Sequence, residues 1–249
     1  MLIKAQTVSN TFLKVIVTRV LMITFLFIHA ANANDKINKN YQQLNIHGWR
    51  VFISNDVVQD KPLYSQIAEQ VNLDLKAIIN TLPEWSLEYL RETPIFFEKQ
   101  MPPPLGSNFF FNGSKRLSAK YNIQHTYGGV IAGSTLSYLA VKGIHPWQLL
   151  HELSHAYHQF TIRHSYMPIQ QSYQNAMEKD LHRFGSEKSR KNFHEYFATL
   201  TEKYFGKSAL FPHNRDQLAK HDPVGYCAIV KAWGIVGRQP NNPPLLCQK

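Results

Sequence analysis

The residues best suited to chemistry lie in the short segment HELSH, at positions 151–155. On an α-helix, His151 and His155 are one turn apart on the same face, so their ring nitrogens can bind one tetrahedral metal ion. Glu152 lies about 100° around such a helix and can reach the water in the open coordination position without binding the metal. The metal would lower the pKa of that water, and Glu152 would take its proton. The segment therefore predicts a hydrolytic zinc site with Glu152 as general base.

A third ligand has to come from another segment, and Glu195 is the best donor. It lies among aromatic residues at helical spacing, in a segment that ends at Gly206. A carboxylate there is costly to bury unless a cation neutralises it. His194 is the rival ligand, but it would point away from the side of the helix that carries Glu195. Glu202 shares that side and is either an acid that orients a histidine or, in the interpretation we favour, a solvated charge.

His158 continues the helix face that carries His151. Seven residues of helix separate the two backbones by about 10.5 Å, too far for both side chains to meet one ion comfortably beside His155. We therefore expect His158 to support the ligands from outside the metal site, or to be exposed.

The two segments together resemble those of a known enzyme family. HELSH followed about 40 residues later by Glu-Tyr-Phe-Ala, at 195–198, is similar to the gluzincin branch of zinc peptidases. The long gap resembles that of the anthrax lethal factor-like peptidases more than the shorter one of thermolysin. The segments 202–206 and 221–226 also resemble a set of exported bacterial proteins with the same zinc motif. The sharp part of the resemblance is limited to the HExxH and Glu-Tyr-Phe-Ala segments.

The resemblance implies that His151, His155 and Glu195 are the metal ligands and that Glu152 is the base. It leaves the stabilisation of the oxyanion open, because no tyrosine matches the one that lies shortly before the ligand glutamate in lethal factor; Lys188 stands in that region. Other candidates for this role are Tyr204, Tyr226 and His221, each of which also has a packing or helix-start explanation.

The elements that position these residues are predicted from periodicity. Pro146 suits a first helical turn, and apolar residues then recur at Leu149, Leu153, Ala156 and Phe160. This pattern predicts an active-site helix at about 146–161. A second helix at about 188–205 would carry the glutamate, and another would begin at Asp222-Pro223.

The first half of the chain reads as strand, helix and strand. The predicted elements are strand 49–54, helix 62–83, a short helix 83–91, strand 94–98, a loop at 101–126 and strand 128–133. The fold class is therefore α+β and zincin-like, with a small sheet-bearing lobe (about 45–140), a helical lobe (about 141–249) and the active-site helix between them. Residues 34–249 would form a single domain.

The N-terminus reads as a signal peptide over residues 1–33. Lys4, Lys14 and Arg19 precede an apolar run at 20–28, and Ala-Asn-Ala follows at 31–33, the small-x-small pattern of a cleavage site. The apolar run is too short to span a bilayer. We expect an exported protein, periplasmic or secreted, with no stable membrane span after cleavage; the alternative is an uncleaved amphipathic anchor.

Charge and cysteine content restrict the partners. The formal net charge of +10 favours anionic surfaces such as lipid headgroups or wall polymers, but the basic residues are scattered and no nucleic-acid motif is present. The two cysteines, Cys227 and Cys247, are expected to form one disulfide in an oxidising compartment, the alternative being two free buried thiols.

We therefore predict an exported metallopeptidase with one zinc ion per chain and a peptide or protein substrate. The substrate would lie between the lobes and could pair with an edge strand such as 128–133. One alternative is a zinc amidase acting on cell-wall peptides or small amides. The other is a non-catalytic, zinc-stabilised binding protein, although a structural zinc site needs four protein ligands and no base.

Overall fold

A five-stranded mixed sheet forms the first half of the molecule in the computed structural model of the chain. The structure describes residues 40–101, 109–112, 130–162, 166–182, 187–234 and 247, and residues 40–249 form one compact unit. The predicted signal peptide and most of the predicted loop at 101–126 lie outside the described residues. Among the helices that are described, none is long and apolar enough to cross a membrane.

The strands are β1 (Tyr41–Ile46), β2 (Trp49–Ser54), β3 (Ile95–Glu98), β4 (Phe109–Asn112) and β5 (Val130–Ser134). Their order in the sheet is β1-β2-β3-β5-β4. The three central strands, β2, β3 and β5, are parallel, whereas β1 and β4 run antiparallel to their neighbours. Strands β2, β3 and β5 match the predicted ones closely, because each is a short β-branched or aromatic run between turn residues.

Two expectations about the sheet were wrong. Strand β5, predicted as an edge strand, lies between β3 and β4, and its apolar Val-Ile-Ala-Gly run suits a strand with neighbours on both sides. Strand β4 lies inside the predicted loop. We predicted a loop there because the surrounding prolines, glycines and serines outweighed the β-propensity of three phenylalanines in a row. Among the described residues, β4 pairs only with β5 and is the outer strand.

Helices cover the sheet and make up the second half of the molecule. They are α1 (Asn55–Gln59), α2 (Lys61–Ile79), α3 (Glu84–Arg91), α4 (Thr135–Ala140), α5 (Gln148–Tyr157), α6 (Met167–Glu178), α7 (Glu187–Lys191), α8 (Phe193–Phe205), α9 (Arg215–His221) and α10 (Pro223–Ala232). The predicted α2 stripe is buried at each of its positions: Leu63, Ile67, Val71, Leu75 and Ile78. The fold is α+β, and every described element from Gln148 onward is helical.

The C-terminal part is fixed by a helix cap and a disulfide. Asp222 precedes α10, and its Oδ1 accepts a hydrogen bond from the Gly225 N–H at 2.9 Å, as the Asp-Pro start predicts. Cys227, on α10, is bonded to Cys247. The predicted disulfide is therefore confirmed, and it attaches the end of the chain to a helix.

Candidate metal centre

Helix α5 carries the HELSH segment, but its limits differ from the predicted ones. It begins at Gln148 after Trp147, and the Pro146 carbonyl accepts a hydrogen bond from Lys142 Nζ at 2.6 Å. After Tyr157 the backbone widens into a π-helix over His158–Ile162. Because a wider turn shifts the angular position of later side chains, Phe160 is 49% exposed and not on the buried stripe as predicted.

Helix α8 carries Glu195, and it also begins later than predicted. Asn192 separates it from the short α7, and the Asn192 side chain accepts hydrogen bonds from the N–H groups of His194 and Glu195, at 3.0 and 2.9 Å. Asparagine is among the preferred residues at this position, which explains why the predicted helix at 188–205 is two helices. Glu195 therefore lies in the first turn, not in the middle, and the positive end of the helix dipole favours its carboxylate.

Helices α5 and α8 pack side by side in antiparallel directions. Trp147 contacts Gly206 at one end, where a Cβ on Gly206 would come within 2.5 Å of the indole ring. One turn further along α5, His151 faces Glu202, and at the next turn His155 faces Glu195. Glycine at 206 thus permits the close approach that sets the register of the two helices.

The three predicted ligands converge between these helices. His151 Nε2 lies 3.2 Å from Glu195 Oε2 and 3.2 Å from His155 Nε2, and His155 Nε2 lies 3.9 Å from Glu195 Oε2. Two atoms that bind one tetrahedral zinc ion at about 2.0–2.1 Å are about 3.4 Å apart. The three donor atoms, all within 4.8 Å of one another, therefore fit a single divalent cation.

Glu202 is not the solvated charge that we favoured from the sequence. Its Oε1 lies 2.5 Å from His151 Nδ1, and both side chains are largely buried. A carboxylate here holds the proton of the ring on Nδ1, so that Nε2 keeps its lone pair for a metal. The orienting role, which was the less favoured alternative, is the one that this contact supports.

Electrostatics reinforce the ligand set. Burial opposes protonation of His151, but the carboxylates of Glu202 and Glu195 outweigh burial and raise its pKa. Burial and the nearby His151 lower the pKa of His155. Burial disfavours the ionised form of Glu195, but His151 and His155 lower its pKa more strongly. The cluster thus keeps Glu195 ionised and draws positive charge to His151, and a bound metal ion would supply that charge in place of a proton.

Glu152 lies beside the ligands on α5 and is buried. It is not one of the three converging residues, in agreement with its position around the helix. Its charge contributes to raising the pKa of His151, which indicates that the carboxylate lies close to the ligands.

Two basic residues near the ligands were not assigned from the sequence. Lys188 is exposed on α7, and its positive charge contributes to lowering the pKa of Glu195. His145 lies just before α5, and burial together with Lys188 lowers its pKa. His145 could have been noticed from its position immediately before Pro146, at the entrance to the active-site helix.

The remaining candidates are not among the three converging residues. His194 contacts the ring of His158, with centroids 5.0 Å apart, and His158 is fully buried. Tyr204 packs on Tyr226 and lies nine residues beyond Glu195, about 13.5 Å along the helix. His221 packs against His182 and Phe211. These ring contacts explain Tyr204, Tyr226 and His221 as packing residues, so none of the three is assigned to the oxyanion.

Comparison of the chain with models of protein families, with curated proteins and with solved structures found no match. The resemblance to gluzincins therefore rests on the two sequence segments, and the case for a metal rests on the geometry of the side chains themselves.

Proposed function

We propose that this chain is an exported, zinc-dependent metallopeptidase with a zincin-like arrangement of its active-site helix. His151, His155 and Glu195 would hold one zinc ion, and Glu152 would be the general base. The observation that carries the proposal is the convergence of two imidazole nitrogens and one carboxylate oxygen within 4.8 Å, next to a buried glutamate that is not needed as a ligand. Three ligands with an adjacent base are typical of catalytic zinc sites, whereas structural sites use four ligands.

Each residue of the site has a separate role in the proposed reaction. Glu202 orients the His151 ring, and Asn192 fixes the first turn of α8, which presents Glu195. Glu152 takes a proton from the attacking water and returns it to the leaving amine. When bound, a zinc ion would supply Lewis acidity toward water and the scissile carbonyl. Lys188 adds positive charge at the border of the site, where negative charge develops during amide hydrolysis.

The substrate would lie along β4 and not along β5, which is an interior strand. Helix α5 packs against both strands, and in the described part of the sheet the edge of β4 away from β5 has no neighbouring strand. An extended peptide can add to such an edge through main-chain hydrogen bonds. This arrangement would place a peptide bond beside the ligands on α5.

The proposal is tested with the zinc-loaded chain and a library of peptides. Wild type should cleave peptides, and Glu152→Gln should lower kcat about 10²–10⁴-fold while it still binds one zinc ion per chain. Glu178→Gln is the matched control, because Glu178 is an exposed glutamate at the end of α6. Its rate should equal that of wild type.

The same experiment distinguishes the proposed peptidase from the alternative functions. Cleavage by Glu152→Gln at the wild-type rate would discard the mechanism. Hydrolysis restricted to wall-peptide amides would identify an amidase. Stoichiometric zinc without hydrolysis of any amide would identify a zinc-stabilised binding protein.

A further inference from the structure

The loop between α8 and α9 exposes two large apolar side chains next to each other. Leu210 is 42% exposed and Phe211 is 44% exposed; we call this pair the apolar tip. Isolated exposed apolar residues are common, but a contiguous pair at the end of a loop is the kind of feature that marks an interaction surface.

The loop is held in shape by a buried lysine. Lys203, on α8, is fully buried, and its Nζ donates hydrogen bonds to the carbonyls of Leu210 and Pro212, both at 2.9 Å. The base of the loop is closed by the Ser208 N–H, which donates to the His213 carbonyl at 2.9 Å. Burying an ammonium group is costly, so the fold uses a costly group to fix a loop whose end is apolar and solvent-facing.

The segment that carries the apolar tip is basic. In residues 206–221, all of which the structure describes, the exposed bases are Lys207, Arg215 and Lys220, and Asp216 is the one exposed acid. The formal net charge of the whole chain is also positive, at +10. An apolar centre within a basic border is complementary to a surface that offers both hydrocarbon and negative charge.

We propose that the apolar tip and its basic border dock on an anionic phospholipid surface. Leu210 and Phe211 would enter the boundary between headgroups and acyl chains, and the neighbouring bases would lie near the phosphates. Two side chains are far too small an area for a stable protein partner, since specific protein interfaces bury about 1,600 Å². A lipid surface needs no such area, because weak apolar insertion and charge attraction add.

Docking by this loop would hold the metal centre close to the lipid surface. The apolar tip follows α8 in the chain, and Glu195 lies in the first turn of that helix, about 15 Å along the axis from its C-terminal end at Phe205. The proposal does not depend on the peptidase activity, and it can be tested without any substrate.

Sedimentation with vesicles tests the proposal. The probes are vesicles of equal parts phosphatidylcholine and phosphatidylglycerol, and vesicles of phosphatidylcholine alone. Wild type should sediment with the anionic vesicles and much less with the neutral ones. Leu210→Ser/Phe211→Ser should lower the partition coefficient about tenfold, and Lys207→Gln/Arg215→Gln should lower it and weaken its dependence on salt.

The matched control is Val224→Ser. Val224 is an apolar residue on α10 with a similar exposed fraction, 42%, and its substitution should leave sedimentation unchanged. All variants share the same N-terminal segment, so differences among them report on the loop. Thermal unfolding of each variant checks the fold, which should hold because Lys203 bonds to backbone carbonyls that the substitutions keep.

Three results would overturn the proposal. The first is equal sedimentation of wild type and Leu210→Ser/Phe211→Ser, which would place lipid binding elsewhere in the chain. The second is an equal loss in Val224→Ser, which would indicate general adhesion by exposed apolar residues. The third is no sedimentation of wild type with anionic vesicles.

Discussion

Two histidine–carboxylate clusters lie on different sides of helix α8, and consecutive residues of the helix, Glu195 and Tyr196, belong to them. Glu195 faces α5 and the two histidines of the candidate metal centre. Tyr196 lies about 100° further around the helix, and its hydroxyl donates a hydrogen bond to Asp222 Oδ2 at 2.5 Å. His182 Nε2 lies 2.9 Å from the same oxygen. We call the second group the Asp222 network.

The two clusters differ in how many hydrogen-bond donors they hold. In the Asp222 network, the carboxylate receives hydrogen bonds from a hydroxyl, a ring N–H and the Gly225 N–H. The packing is so close that a Cβ on Gly225 would lie 2.2 Å from the Tyr196 hydroxyl. In the metal centre, the converging atoms are two imidazole nitrogens and one carboxylate oxygen, which are the atom types that a divalent cation binds. A buried carboxylate with enough donors stabilises a fold by itself, whereas a cluster of metal-binding atoms is stabilised further by a cation.

The largest expected effect is therefore the loss of thermal stability when the metal is removed. At a free zinc concentration about 1,000-fold above Kd, binding to the folded chain stabilises it by about 4 kcal/mol. We expect a chelator to lower Tm by about 8–16 °C for a domain of this size. Glu195→Ala should abolish this difference, because it removes one of three ligands.

Calorimetry with zinc and with chelator measures this effect. Glu178→Ala, which removes an exposed carboxylate from another helix, should keep the full difference in Tm. A Glu195→Ala variant that is still stabilised by zinc to the same extent would remove Glu195 from the ligand set.

The next largest effect is a loss of folding stability when the Asp222 network is broken, and this loss should not depend on metal. Asp222→Asn replaces an ionised acceptor of three hydrogen bonds, and hydrogen bonds to charged groups contribute about 1.5–3 kcal/mol each. We expect a loss of about 2–3 kcal/mol in the free energy of unfolding, equal with zinc and with chelator. Urea denaturation in both conditions measures it, and a loss seen only with zinc would show that the two clusters are coupled.

Low pH should remove the difference in the free energy of unfolding between wild type and Asp222→Asn. Burial opposes ionisation of Asp222, but the hydrogen bonds from His182, Tyr196 and the Gly225 N–H outweigh burial and lower its pKa from the usual 3.8. A carboxyl with a lowered pKa in the folded state stabilises the fold above its unfolded pKa and loses that contribution as the pH falls through the folded value. The two urea curves should therefore approach each other below about pH 4.

A smaller effect is expected from Glu202, which acts on the metal only through His151. Glu202→Gln keeps the size of the side chain but removes the charge that orients the ring. Loss of such a partner lowers metal affinity about 10–100-fold. Competition with a zinc-binding dye measures Kd, and Glu178→Gln is the control. An unchanged Kd would mean that the contact at 2.5 Å has no effect on the ligand.

The sequence was informative where the chemistry is local. His151 and His155 are four residues apart, so their shared face follows from helix geometry alone, and the strand 49–54 has the predicted limits. Glu202 was misjudged because its partner depends on how α5 and α8 pack, and the contact between Trp147 and Gly206 that sets this register was not foreseen. The π-helix after Tyr157 likewise has no signature in the sequence, so the exposure of Phe160 could not be foreseen.

The wrong helix boundary at Asn192 could have been avoided from the sequence. Asn192 followed three residues later by Glu195 is a helix-start pattern, and it would have divided the predicted helix correctly. The Asp222 network, in contrast, could not be predicted from the sequence. It joins His182, Tyr196 and Asp222 from three separate elements, and only the start of α10 at Asp222 was visible in the sequence.

The smallest expected effect tests how firmly the first turn of α8 holds Glu195. Asn192→Ala removes the side chain that accepts two N–H hydrogen bonds, and loss of such a cap costs about 1 kcal/mol. Because Glu195 lies in the capped turn, we expect zinc affinity to fall about fivefold, which corresponds to the same free energy. Asn192→Asp keeps the cap and should keep the affinity. Asn214→Ala removes the equivalent cap of α9 and should lower stability without changing Kd. If Asn192→Ala lost only stability, Glu195 would be held by its histidine partners and not by the helix start.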